Sequence, residues 1–284
     1  MNFKDFRHYQ TLEIVRQSRK ILLPLMTAGF LLYHHQPVQG ADLKFGGYVK
    51  NFFVVYHTTG MDWGSLLGLP APDFLSAVNQ RIRSRIFYQP VNWLTAEVEY
   101  DLSFRVQDSL LYANIFQFSL IDPLKYRYDD LNRKLYPADS EYQGSFAIFQ
   151  NLDRFYLTFR SSLADLYVGR QAIAWGSARV INPTDVIAPF TFDELDKEER
   201  IGADAVRLRI PISALSEFDA GYVIGEAARS ENSAFFTRLK LYQLQSDLSI
   251  LLLGFRQNLL VGFDLARSIG GAGTWLETAY VFAD

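Results

Sequence analysis

The stretch that decides the fold class is residues 92–106, which read NWLTAEVEYDLSFRV. From Leu94 to Val106 every even-numbered residue is apolar, and from Thr95 to Arg105 every odd-numbered residue is polar or charged. Successive side chains of a β-strand point to opposite faces, whereas the pattern of an α-helix repeats every 3.6 residues. The stretch therefore predicts a strand with one apolar and one polar face.

The same alternation recurs along the chain. Basic residues alternate with apolar ones at 81–86, 154–160 and 206–210, and one-sided apolar runs occur at 218–224, 261–265 and 276–282. Further strand-like runs are 43–56, 163–171, 234–245 and 247–256. The pattern predicts about eleven strands of roughly ten residues, which is the length of a tilted transmembrane β-strand and longer than most strands of soluble proteins.

A sheet in lipid must close on itself, because every backbone polar group has to be paired internally. We therefore predict an all-β fold, an antiparallel up-and-down transmembrane β-barrel over residues 41–284, with apolar side chains towards lipid. Aromatic residues near strand ends, such as Tyr56, Trp63, Trp93 and Trp275, are typical of interfacial girdles. The alternative is a large soluble β-protein.

The connections between the predicted strands alternate in length. They are long at 57–78, 107–148 and 172–200, short at 89–92, 161–165 and 211–216, and of medium length at 225–233. Outer-membrane barrels have short periplasmic turns and longer external loops. The spacing therefore favours such a barrel, with its first strand running outward.

The first forty residues have the order of a secretory signal. A basic start (Lys4 to Lys20) precedes an apolar stretch over 21–33, and small residues lead up to Gly40 and Ala41. This order predicts export, with cleavage near Gly40/Ala41. A retained N-terminal anchor is the alternative, but the apolar stretch is short for a span.

The polar face of the predicted strands carries alternating basic and acidic residues. A charge that faces lipid at mid-depth costs about 2–4 kcal/mol for Arg or Lys, so these side chains are expected to point into a lumen. The predicted pore-lining residues are Arg81, Arg83, Arg85, Glu97, Glu99, Asp101, Arg105, Arg154, Arg160, Arg207, Arg209, Arg238 and Lys240. Either the basic residues attract anions, or they pair with acidic residues of neighbouring strands. We favour pairing for most of them, for example for Arg81, Arg83 and Arg85 beside the acidic residues at 97–101.

Composition excludes several other classes of protein. The 284 residues include no cysteine. Residues 1–40 contain five Lys/Arg and two Asp/Glu, so 23 basic and 29 acidic residues remain after their removal, which gives a net charge of −6. That charge argues against nucleic-acid binding. With His57 as the one histidine beyond residue 40, no nucleophile elbow and no phosphate-binding loop, we predict no enzyme and no cofactor. The acidic run 193–199 could bind a divalent cation, but such runs are more often simply solvated, and we predict no metal site.

The segment 168–202 carries a family resemblance. Its Gly-Arg-Gln strand end, Trp175-Gly176 step and Asn182-Pro183-Thr184-Asp185-Val186 turn resemble porin-superfamily barrels of Gram-negative bacteria, nearest to an uncharacterised proteobacterial family and more distantly to alginate-export-type and anion-selective porins. Pro183 sets φ, while Asn182 and Asp185 can bond nearby backbone amides. The resemblance implies that this loop folds inward as a constriction formed by Trp175, Asn182, Pro183 and Asp185. An ordinary external loop is the alternative.

Together these features predict a porin-like channel in the outer membrane for diffusion or facilitated passage of small solutes, anions among them. The alternative is an outer-membrane barrel with a surface-enzyme, adhesion or scaffold role. The expected partners are outer-membrane lipid, periplasmic chaperones, the barrel-assembly machinery and the solutes, and both a monomer and a homo-oligomer fit. Single-chain bacterial barrels have an even number of strands. Because the last of about eleven strands runs outward and ends at Phe282-Ala283-Asp284, we expect a barrel truncated at its C-terminus.

Overall fold

The computed structural model of the chain describes residues 41–57, 73–108, 126–137, 145–176, 182–188 and 200–283. The predicted signal segment, 1–40, and the acidic run 193–199 lie outside these ranges. No helix within the ranges is long and apolar enough to cross a membrane. Besides two short 3-10 turns (Glu226–Ala228 and Ser230–Asn232), the regular elements are β1 (Asp42–His57), β2 (Phe74–Val91), β3 (Leu94–Gln107), β4 (Lys134–Tyr136), β5 (Phe146–Arg160), β6 (Asp165–Gln171), β7 (Ala203–Pro211), β8 (Glu217–Ile224), β9 (Ala234–Gln243), β10 (Ser246–Phe255), β11 (Asn258–Ile269) and β12 (Ala272–Phe282).

The strands form one antiparallel up-and-down sheet in chain order. The pairing path runs from β1 to β12 and omits only β4, which pairs with β5 alone. Eleven strands therefore lie on the path, as the alternation predicts. Among the described residues β1 pairs only with β2, and β12 only with β11, so these two strands are the edges of the sheet.

The connections alternate as predicted between the two ends of the sheet. At one end they are short, namely 92–93, 161–164, 212–216, 244–245 and 270–271. The other end carries the longer connections over 58–73, 108–145, 172–202 and 225–233, and also the two-residue turn 256–257. Leu244 and Gln245 both have positive φ angles (51° and 59°), and so do Gly270 and Gly271 (58° and 85°). Two positive φ values in a two-residue turn match the twist of the strands that it joins.

The two faces of the sheet have opposite chemistry. We call the face that carries Arg83 and Asp219 the inner face and the opposite one the outer face. Arg83 is 3% exposed and Asp219 is 0% exposed, whereas Phe53 and Tyr280 on the outer face are 70% and 65% exposed. Among the described residues more large hydrophobic side chains are exposed than buried. This arrangement is the reverse of a soluble protein, in which charged side chains are rarely buried.

A β-bulge interrupts the alternation within β5. Glu99 of β3 pairs with Arg154 whereas Tyr100 pairs with Leu152, so Asp153 is the extra residue. The bulge changes which residue parity faces inward along β5. As a result both Asp153 and Arg154 are buried, at 1% and 7% exposure.

Candidate functional site

The inner face of β2, β3 and β5 carries a buried ion-pair network centred on Arg83. Its guanidinium is bidentate to Asp101, with Nε–Oδ1 and Nη2–Oδ2 distances of 2.6 Å each, and it also contacts Glu99 at 3.2 Å and Asp153 at 3.0 Å. Asp153 accepts a second bond, of 2.7 Å, from Nη1 of Arg154. Each buried charge thus has an opposite charge within hydrogen-bond distance, which offsets much of its desolvation cost.

A second set of ion pairs lies on the inner face of β7 to β10. Arg207 forms a bidentate pair with Asp219 (2.8 and 2.6 Å), and the indole N–H of Trp175 donates to the same carboxylate at 3.3 Å. Arg209 and Arg238 contact Glu217 at 2.5 and 3.5 Å. Because register pairs Arg207 with Gly221 and Arg209 with Asp219, the bonds run diagonally between the strands.

The segment 172–188, as far as it is described, folds back over the inner face. Oδ1 of Asp185 accepts bonds from the backbone N–H groups of Trp175 (2.6 Å) and Gly176 (2.8 Å), and Oδ2 accepts one from Arg200 (2.5 Å). The Asp185 N–H donates to the Asn182 carbonyl at 3.1 Å, which closes the turn around Pro183. Asp185 therefore bonds backbone amides as predicted. Asn182 instead contributes its backbone carbonyl, since its buried side-chain Oδ1 has no hydrogen-bond partner.

This segment reaches the far edge of the sheet. The backbone N–H and hydroxyl of Thr184 both donate to Oε1 of Glu277 on β12, at 3.1 and 2.6 Å. The approach is close, because a Cβ placed on Gly262 of β11 would lie 2.7 Å from the methyl group of Thr184. The segment therefore spans the inner face from β6 to β12.

An apolar cluster fills the contact between this segment and the sheet. The Trp175 and Phe236 rings meet edge to face, with centroids 4.6 Å apart. The buried members of the cluster are Tyr126, Ile173, Trp175, Ile187, Ala203, Ala205, Val223, Ala234, Phe236, Leu251, Leu253 and Leu260. The alternation does not predict this cluster, because it indicates an inner face that is polar throughout.

A second connecting segment, 126–133, packs at the same end of the sheet. Arg127 is buried, and it donates to the Gly202 carbonyl (3.0 Å) and to Asp130 (2.7 Å). Arg170 at the end of β6 also contacts Asp130, at 3.0 Å. Burial by itself would raise the pKa of Asp130, but the charge and hydrogen bond of Arg127, with the charge of Arg170, lower it below its ordinary value. Burial raises the pKa of Tyr126 to about 12, against a smaller opposing effect of Arg256.

The structure places every predicted pore-lining residue on the inner face. Arg83, Arg85, Arg154, Arg207, Arg209, Arg238 and Lys240 form ion pairs with neighbouring carboxylates, among them Glu99 and Asp101. Arg105 lies 4.9 Å from the ring centroid of Phe149. Arg81 is in register with Lys50 and Ser103, and Arg160 is in register with Asp165. Glu97 is in register with Tyr156. Most of these basic side chains therefore form ion pairs with carboxylates, as predicted. That the same residues line a pore stays a prediction.

Several functional partners were not identified from the sequence. Asp219 alternates with Phe218 and Ala220, so the period-two pattern of β8 could have identified it. Asp153 had no such signal, because the bulge at that position changes the parity of the strand. Glu277 had none either, since its role depends on a contact with Thr184, 93 residues away.

Comparisons with known proteins give a distant likeness in structure. No protein-family model matches the chain, and no curated protein matches it. Among solved structures it is similar to the crystal structure of Acinetobacter baumannii OccAB1, with a TM-score of 0.42 and 9% sequence identity over 86% of this chain and 52% of that one. The chain therefore spans about half the length of the solved structure that it matches, and a similarity at this level assigns neither function nor solute.

Proposed function

We propose that the chain builds the wall of a porin-like channel in the outer membrane of a Gram-negative bacterium, for small polar solutes including anions. The observation that carries the proposal is the reversed sheet, with exposed apolar side chains on the outer face and buried ion pairs on the inner face. Exposed apolar surface of this extent indicates contact with a membrane or a partner. The alternation of apolar-out and polar-in is the pattern of a transmembrane β-barrel.

The exposure of the charged side chains on the inner face indicates which of them would contact a passing solute. Arg83 is neutralised by three carboxylates and is 2% exposed at its side chain, so it contributes little net field. The side chains of Arg85, Arg209 and Lys240 are 49%, 36% and 34% exposed. We therefore propose that these three cations meet the solute and give a modest preference for anions.

The first test is conductance. Folded full-length protein is inserted into a planar lipid bilayer, and we expect stepwise single-channel currents in KCl. Protein with heat-modifiable gel mobility that inserts without conducting would contradict the channel.

The second test addresses the exposed cations. We expect the double variant Arg209→Gln/Lys240→Gln to lose part of the anion preference, measured as the reversal potential across a KCl gradient. Arg267→Gln is the matched control, because it also removes the charge of an exposed arginine, near the turn between β11 and β12. The neighbours of Arg267 in register, Ser246 on β10 and Thr274 on β12, are uncharged. An equal shift in both variants would argue against a role for the inner-face cations.

A second candidate function is supported by the apolar cluster. Residues 172–176 and 182–188 lie over the inner face of β8 to β12, and a barrel whose interior is occupied in this way can act as a scaffold for external loops. Bilayers that stay electrically silent with folded protein favour this candidate. We propose no enzymatic activity for either candidate.

A further inference from the structure

A cavity lies at the end of the sheet where β8 to β11 meet the long connections. Its volume is about 480 Å³, and it is lined in part by Tyr222, Phe235 and Leu259, all exposed on the outer face. Val223 and Phe236, the neighbours of Tyr222 and Phe235, are buried on the inner face. Ser233 and Ala234, which also line the cavity, are buried, and Phe255 packs against the inner apolar cluster. The cavity therefore lies at the end of the sheet, with its exposed apolar lining on the outer face.

The floor of the cavity depends on a glycine. Gly254 is in register with Phe235, and a Cβ placed on Gly254 would lie 2.1 Å from Cε1 of Phe235. The ring can therefore lie directly over the backbone of β10, where a larger residue would displace it. The exposed Phe235 ring thus lines the cavity from the outer face.

The rim of the cavity is polar and carries a positive charge. Ser230, Gln257 and Asn258 line it, and Arg256 is the charged side chain among the described lining residues. Arg256 and Gln257 form the turn between β10 and β11, with φ angles of 46° and 68°. The carboxylates of the neighbouring connection, Glu226 and Glu231, are not among the lining residues.

We propose that this cavity binds one lipid with a net negative phosphate headgroup, with the phosphate at Arg256 and the acyl chains along Tyr222, Phe235 and Leu259. The assignment rests on the proposed function, because the outer face meets lipid only if the sheet is in a membrane. An arginine at the level where the apolar face ends is the charge that a phosphate group selects. Neutral donors beside it can bond the remaining phosphate oxygens.

The test measures equilibrium binding of a fluorescent phosphatidylglycerol to folded protein in non-ionic detergent micelles, against phosphatidylcholine with the same acyl chains. We expect the wild type to prefer phosphatidylglycerol. Arg256→Gln should weaken phosphatidylglycerol binding about five-fold and leave phosphatidylcholine binding unchanged, because one basic residue near an anionic surface contributes about 1 kcal/mol. Phe235→Ala should weaken the binding of both lipids.

Two controls separate the cavity from general lipid contact. Arg267→Gln removes an exposed arginine at the other end of β11, and Ile250→Ala trims an exposed outer-face residue outside the cavity. Neither should change the preference. Equal losses in Arg256→Gln and Arg267→Gln, or a wild type without preference, would overturn the proposal.

Insertion into vesicles of each lipid is scored separately. Protein that inserts into both but shows no headgroup preference refutes the lipid site and leaves the proposed channel intact. Protein that folds in water and inserts into neither refutes the proposed function, and the lipid site with it.

Discussion

The inner face of the sheet has two halves that are built differently. Over β2, β3 and β5 it is held by buried charges around Arg83 and Asp153. Over β8 to β12 the ion pairs of Asp219 and Glu217 lie beside an apolar cluster around Phe236, which packs under the described parts of the segment 172–188. Both halves belong to one sheet and follow the same alternation. The difference shows that alternation decides which side chains point inward, but the connecting segments decide what these side chains meet.

The largest expected effect is on the charged half. Asp153→Ala should lower the free energy of unfolding by about 4 kcal/mol, because it leaves Arg83 and Arg154 buried with less compensation. Urea unfolding in detergent micelles measures it. Asp247→Ala is the control, since its contact with Lys240 at 3.4 Å is partly exposed and should contribute less than about 1 kcal/mol. Equal effects of the two variants would show that the network does not stabilise this half.

The apolar half should respond to loss of volume instead of charge. Phe236→Ala removes a ring that is 1% exposed and packs against Trp175, so we expect a loss of about 3 kcal/mol in the same unfolding assay. The control is Phe155→Ala on the outer face, where the ring is 61% exposed and detergent can fill the space. A larger loss for Phe155→Ala would contradict the assignment of the two faces.

A smaller effect tests how the segment 182–188 is held across the apolar half. Thr184→Val keeps the shape of the side chain but removes the hydroxyl bond to Glu277, which contributes about 1 kcal/mol. We expect faster hydrogen exchange at the amides of Thr184 and Asp185. Thr274→Val, which removes an exposed hydroxyl bond to the Arg267 carbonyl, should leave that exchange unchanged. Unaltered exchange in Thr184→Val would show that the hydroxyl bond is not needed, and that the backbone bond to Glu277 and the bonds of Asp185 hold the turn.

The smallest effect concerns pH at the segment 126–133. The pKa of Asp130 is lowered in the folded protein, so its stabilising contribution is complete above the ordinary value of 3.8 and is lost as pH falls through the folded pKa. The protection factors of the amides in 126–133, which compare their exchange with that of unprotected amides at the same pH, should therefore fall below pH 3.8 in the wild type, and less so in Asp130→Asn. Asp129→Asn removes a carboxylate from the same segment without removing the contacts to Arg127 and Arg170, and should behave as the wild type.

Much of the fold could be predicted because its signals are local. The stretch 92–106 alternates without exception, and it forms β3 with Glu99 and Asp101 buried and Val106 exposed. The short turns also follow from nearby residues, as at Gly270 and Gly271. What could not be predicted is non-local, namely the inner apolar cluster and the contact between Thr184 and Glu277.

The sequence by itself determined the period-two alternation, and with it which side chains share a face. That is a consequence of strand geometry, which acts on each residue and its immediate neighbours. Only the tertiary structure decided that Asp153 neutralises Arg83, because the pairing depends on a bulge and on the register of three strands. It likewise decided that one half of the inner face is covered, since that requires a segment after β6 to reach β12.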